Sequence, residues 1–282
     1  MLFLFMVLQI DTSNFEWAAP YALSILLIGF AFFFFRIFEN WYADTKDKPL
    51  YTNLFVFRKL TPSQVEILKT HFSFYGKLTI KQQKQFQHRV ATFITEKQFV
   101  GREELQVTEK MKILIAAVGV MLSFGRKNYT YSLINTILIF PNQFYSNSNE
   151  AFHKGEFNPK EKTLVFSWKD FEAGYAIEDD NLNLGIHEFM HAMHIEAKVS
   201  NDIDASRFLK QFNEILKRLN DKELKKLLDE TRFFRDYAFT NQYEFMAVLA
   251  EYFMESPTEL KKTFPKVYDL VQTSLNMRVA GY

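Results

Sequence analysis

Asn183-Leu184-Gly185-Ile186-His187-Glu188-Phe189-Met190-His191-Ala192-Met193-His194 is the stretch on which the reading of this chain turns. On a helix, His187 and His191 lie four residues apart on one face, where both imidazoles reach a single zinc ion. Glu188, beside the first, then addresses a water molecule at that ion. Such an arrangement is the core of a zinc peptidase. The pattern fixes only three positions, however, and an amphipathic helix with solvated or hydrogen-bonded histidines has the same spacing.

A catalytic zinc takes three protein ligands and keeps one open position, so a third ligand must lie elsewhere in the chain. The chain has no cysteine, which excludes disulfides, thiolate nucleophiles and sulfur-ligated zinc and leaves histidines and carboxylates. A metzincin would carry glycine at 194 and histidine at 197; His194 and Ala197 stand there, so that subclass is excluded. The other common source is a carboxylate on a later helix. Residues 241–254 form an apolar helical segment with Glu244 and Glu251 seven apart on one face. Carboxylates in such a stripe are costly unless paired or metal-bound. Chemistry alone accepts either glutamate as ligand, and Glu244 also suits a helix start. His194, seven residues after His187, lies near the same face; a polar packing role is the simpler reading.

Several further stretches resemble the Mlc titration factor A zinc peptidases, which are themselves similar to the catalytic domain of anthrax lethal factor. They are Phe93-Ile94-Thr95-Glu96-Lys97, Val107-Thr108-Glu109-Lys110-Met111, Ile137-Leu138-Ile139-Phe140-Pro141, Leu164-Val165-Phe166-Ser167-Trp168-Lys169-Asp170, Asn183 with Ile186-His187-Glu188-Phe189 and His191, and Glu244-Phe245 followed by Ala247-Val248 and Glu251-Tyr252-Phe253. The resemblance implies Glu244 as third zinc ligand and leaves Glu251 a supporting or packing role. It further implies that Tyr237, seven residues before Glu244, helps to stabilise the oxyanion. One zinc ion held by His187, His191 and Glu244, with Glu188 as general base and Tyr237 as its catalytic partner, would hydrolyse a peptide or protein substrate. Binding of the repressor Mlc belongs to the namesake and is not carried over.

Outside these motifs, 282 residues with 24% charged and 48% hydrophobic fit one sizeable globular domain plus an extra segment. A formal net charge of +1 and the lack of a basic stripe argue against nucleic acid as a partner. The 32 Phe and 13 Tyr are an excess, and much of the Phe lies in the first sixty residues. Residues 1–10 are apolar but too short to span a bilayer, and they lack the basic start and small-residue cleavage site of a signal peptide. Residues 17–35 carry no charge and are long enough to cross a hydrocarbon core. Trp17, Tyr21, Trp41 and Tyr42 suit its interfaces. No Lys or Arg precedes the span, whereas Arg36, Lys46, Lys48, Arg58 and Lys59 follow it, which puts the rest of the chain on the cytoplasmic face of a bacterial inner membrane.

The expected organisation is a tail and transmembrane anchor over 1–42, contacting membrane through 17–38, a linker over 43–60, and a zincin-like metallopeptidase domain over 61–282. Its class is α+β, rich in helix with a small sheet. Helices are expected over 62–73, 80–97, from Thr108 through an all-apolar core run to Phe124, and over 204–219, 221–230, 241–254 and 257–276. Capping boxes open the first at Thr61 and the last at Ser256. Strands are expected over 132–140 and 163–168, with 142–162 as a long surface connection, and strand 163–168 as the edge along which a peptide lies. The competing reading is a membrane-anchored regulatory module that binds protein through a zincin scaffold with little turnover. Glu188 and Tyr237 weigh against it, since a scaffold needs neither.

Overall fold

Thr61 and Thr79 each close a capping box with the glutamine three residues on, and so start helices α2 (Pro62–His71) and α4 (Ile80–Glu96). The computed structural model describes residues 19–46, 58–146, 150–177 and 179–282. Contacts divide the chain into two units, residues 1–50 and 51–282. In the first, helix α1 runs over Ala19–Lys46. Its segment Tyr21–Glu39, with mean hydropathy 2.1, is long and apolar enough to cross a membrane. Trp17 and the apolar tail 1–10 lie outside the described residues, as do 47–57 of the expected linker; residues 43–46 continue the helix.

The second unit is helix-rich with a small sheet, as the α+β reading requires. After α2 come α3 (Ser73–Gly76), α4, β1 (Gln98–Gly101) and α5 (Glu109–Leu122). Helix α5 is buried without a break from Ile113 to Leu122, which explains its apolar residues on every face. Strands β2 (Thr136–Phe140), β3 (Phe144–Ser146), β4 (Ala151–His153), β5 (Gly155–Asn158) and β6 (Thr163–Ser167) follow, then α6 (Trp168–Ala176) and α7 (Leu184–Val199). The remaining elements are α8 (Ile203–Arg218), α9 (Lys222–Thr231), a 3₁₀ turn (Asp236–Phe239), α10 (Gln242–Glu255), α11 (Pro257–Thr263) and α12 (Pro265–Leu275).

The sheet order is β1-β2-β6-β5, with β1, β2 and β6 parallel and β5 antiparallel to β6. Strand β6 is therefore interior, paired on both sides, and cannot be the peptide edge expected of 163–168. The edges among the described residues are β1 and β5, and the one beside β6 is β5, which lies inside the stretch read as a surface connection. That stretch also holds the β3–β4 hairpin. These strands are only three or four residues long, so their periodicity is too brief to register.

Other departures have local causes. The strand expected from Ser132 begins at Thr136, because the Ser132 amide and hydroxyl both donate to the buried Glu196 carboxylate instead of joining the sheet. The single helix expected over 257–276 is two. Pro265 lacks an amide hydrogen and disfavours helical geometry at Phe264, whose φ/ψ are −129°/63°. Ser256 makes no side-chain cap.

Helix α7 packs on α5 and α10 at the centre of the core. The tip of the Phe189 ring meets Gly119 of α5, where a Cβ would approach it to 2.9 Å, so that position has room only for glycine. This close contact lets α7 pack tightly against α5.

Candidate metal centre

Asn183 sets the start of α7. Its Oδ1 caps the Ile186 amide at 3.0 Å, and its Nδ2 donates to Gly174 O at 2.8 Å and Glu255 Oε1 at 2.9 Å. Its own amide donates to Glu251 Oε2 at 2.9 Å. One residue thus caps one helix and hooks it to α10, which faces it with Glu244, Glu251 and Glu255. Among polar ties of this kind, burial of Glu255 pushes its carboxyl up to about 8, against the pull of the Asn183 hydrogen bond.

The predicted ligands come together. Donor atoms of His187, His191 and Glu244 all lie within 4.8 Å of one another. Glu244 Oε2 is 2.8 Å from His187 Nε2, and its Oε1 is 3.4 Å from His191 Nε2. Two imidazoles and a carboxylate converge here from two helices, a donor set that could hold a metal ion. Glu251, the other candidate, faces the opposite side of the ring: its Oε1 is 2.7 Å from His187 Nδ1, and Arg235 Nη2 donates to that oxygen at 2.7 Å. A carboxylate on Nδ1 fixes the ring and directs Nε2 toward Glu244.

Electrostatics follow from this geometry. Burial disfavours charge on His187, but the hydrogen bonds to Glu244 and Glu251 outweigh it and raise its pKa to about 10. Burial also works against the Glu244 carboxylate, and the hydrogen bonds from His187 and His191 overcome it, holding Glu244 well below the usual range. Glu188 is only 6% exposed. Burial pushes its carboxyl up, eased by His191 and His187. Tyr237 stands half-exposed on the 3₁₀ turn, its ring 5.9 Å from that of His187. Burial, then the Glu244 carboxylate, hold its hydroxyl protonated far above its ordinary pKa.

His187, Glu188 and Tyr237 open onto a cleft of about 500 Å³ whose lining also includes Phe152, Gly155, Leu182 and Arg235. At Gly155, the first residue of edge strand β5, a Cβ would lie 2.7 Å from the Glu188 carboxylate. Strand and general-base candidate are thus in direct apposition. Sequence reasoning missed Gly155, whose only signal was a glycine in a polar run, and Arg235, two residues before Tyr237.

His194 does not reach this cleft. It is buried between Phe208, Phe212 and Tyr243, its Nε2 has no hydrogen-bond partner among the described residues, and burial lowers its pKa to about 4.

The family profile described as glucose-regulated metallo-peptidase M90 matches residues 52–274, which include every group named above. The chain belongs to that family. An uncharacterized protein of Synechocystis sp. is similar along nearly the same length, 24% identical over 257 residues that cover 83% of this chain and 89% of the relative. M90 proteins are metallopeptidases, as the resemblance to Mlc titration factor A implied, so a metal ion and a peptide or protein substrate are properties of the family to which this cleft belongs.

Proposed function

We propose that this chain is a zinc-dependent peptidase in which His187, His191 and Glu244 hold one zinc ion and Glu188 and Tyr237 carry out the proton and charge handling of peptide hydrolysis. The convergence of two imidazoles and one carboxylate within 4.8 Å is the observation that carries this reading. A zinc ion held by these three side chains would supply Lewis acidity, polarising the scissile carbonyl and acidifying a water molecule. Glu188 would accept a proton from the attacking water and return it to the leaving amine, and burial holds its carboxyl above the ordinary carboxylate value. Tyr237 keeps its proton and offers it to the oxygen on which charge develops. Glu251 and Arg235 hold the His187 ring in place from behind. The unpaired side of β5 gives an extended peptide a backbone ladder that runs past Glu188.

The helix Tyr21–Glu39 supports a membrane anchor within residues 1–42, and the basic residues that follow it, with none before it, favour the cytoplasmic side for the peptidase domain over 61–282. Its apolar side chains are exposed on every face, including Ile25, Ile28, Phe32 and Phe34, an arrangement suited to lipid and costly in water. The test of the catalytic reading is zinc content and peptide hydrolysis of the full chain beside Glu188→Gln. Retained zinc with lost hydrolysis in the variant is the expected result; a wild type no more active than the variant would refute it.

A further inference from the structure

The walls of the cleft carry large apolar side chains that the fold leaves in water. Phe152 is 71% exposed. Tyr145, its register partner across the β3–β4 hairpin, is 52% exposed, and the two rings meet edge to face with centroids 5.5 Å apart. Leu182, on the segment that leads into α7, is 55% exposed. Phe152, Leu182 and Leu184 border the same space as Glu188. One exposed phenylalanine is ordinary, but apolar side chains from separate elements around one cleft form a surface that gains by being covered. The two cations of the cleft are paired, Lys154 with Asp170 at 2.8 Å and Arg235 with Glu251 at 2.7 Å, while His153 also lines it. An acidic substrate side chain drawn to either cation would compete with the carboxylate already there.

The strand sets the direction. Gly155 lies over Glu188, and the chain from Phe152 to Gly155 leads into edge strand β5. A peptide pairing antiparallel to β5, the more stable ladder, enters at the Asn158 end and leaves past Gly155 toward Phe152. Residues after the bond at Glu188 therefore arrive at the hairpin.

We propose that Phe152, backed by Tyr145 and joined by Leu182 and Leu184, receives a large aliphatic or aromatic side chain of the residue that follows the scissile bond. The substrates are then peptide segments with a bulky apolar residue at that position. This rests on the reading of the site as a peptidase.

The test uses the full zinc-loaded chain in detergent and capped alanine octapeptides that carry Phe, Leu, Ala, Asp or Lys at the fifth position, with the cut mapped by mass spectrometry. The Phe and Leu peptides should be cut immediately before that residue, with kcat/KM roughly ten- to a hundredfold above the alanine peptide. Phe152→Ala should bring that ratio down to a few-fold, and Phe152→Leu should keep most of it. Phe152 is largely exposed, so neither variant threatens the fold. An unchanged ratio in Phe152→Ala, a preference for Asp or Lys, or a cut after the bulky residue would overturn the proposal. Binding of the same peptides to Glu188→Gln separates this from the catalytic reading. If the wild type cuts none of them, the peptidase reading fails and binding alone decides the subsite: tighter binding of the Phe peptide that is lost on adding Phe152→Ala supports it, and equal binding refutes it.

Discussion

Glu251 Oε1 lies 2.7 Å from His187 Nδ1, while Glu244 Oε2 lies 2.8 Å from His187 Nε2, so the two glutamates of α10 grip opposite nitrogens of one ring. Seven residues apart on one helix, they differ in role because the ring stands between them. Substituting each separates the roles. Glu244→Ala should abolish tight zinc binding, and Glu251→Ala should weaken it by about ten- to a hundredfold. A zinc-competition titration with a chromophoric chelator measures both; the reverse order would assign the ligand to Glu251.

Gly155→Ala places a methyl group 2.7 Å from the Glu188 carboxylate, inside van der Waals contact. The carboxylate must shift, and a displacement of about 1 Å at a catalytic group costs on the order of a hundredfold in rate. Zinc content and melting temperature should stay close to wild type, since the strand tolerates alanine in extended conformation. Equal kcat/KM in the two proteins would show that β5 does not constrain Glu188.

His194 predicts an acid sensitivity separate from metal loss. Its pKa is lowered by burial from 6.5 to about 4, so the folded protein binds this proton less well than the unfolded chain. The stability it contributes is fully present above pH 6.5 and is lost as pH falls toward 4, at most about 3 kcal/mol. Denaturant titrations in chelator, which remove the competing effect of zinc release, should show this slope in wild type and a shallower one in His194→Gln. Parallel pH profiles would remove His194 as the cause.

The anchor has a direct assay. The full chain expressed in bacteria should remain in the membrane pellet after an alkaline carbonate wash, and protease added to sealed right-side-out cells should leave residues 61–282 intact. Release by carbonate would argue against a spanning helix, and digestion against the cytoplasmic side.

Much of this was legible in the sequence where periodicity and capping chemistry are strong. The apolar run Ile113–Leu122 and the Thr61 and Thr79 boxes identify their helices directly, and His187, His191 and Glu244 were named before the structure brought them together. Choosing Glu244 over Glu251 was another matter. Both sit on one helix face, so spacing alone leaves either open; the family resemblance favours Glu244, and which nitrogen of the His187 ring each glutamate meets is a tertiary fact. Strand β5 was illegible for a related reason. Its four residues Gly-Glu-Phe-Asn become a strand because β6 offers them a ladder, and no propensity of their own declares it. Arg235 gives no sign in one dimension that its guanidinium meets a carboxylate 16 residues on.

The pairing of Asn183 with Glu251 and Glu255 ties the start of α7 to α10, so the groups that would hold metal belong to one braced pair of helices within residues 183–255. The strands that border the cleft come from a separate stretch, 144–158, and touch that pair mainly through Gly155 above Glu188. The cleft is thus walled from two stretches of sequence, the aromatic hairpin on one side and the start of α7, with Leu182 and Leu184, on the other. A change confined to the hairpin alters one wall and leaves the brace between α7 and α10 intact.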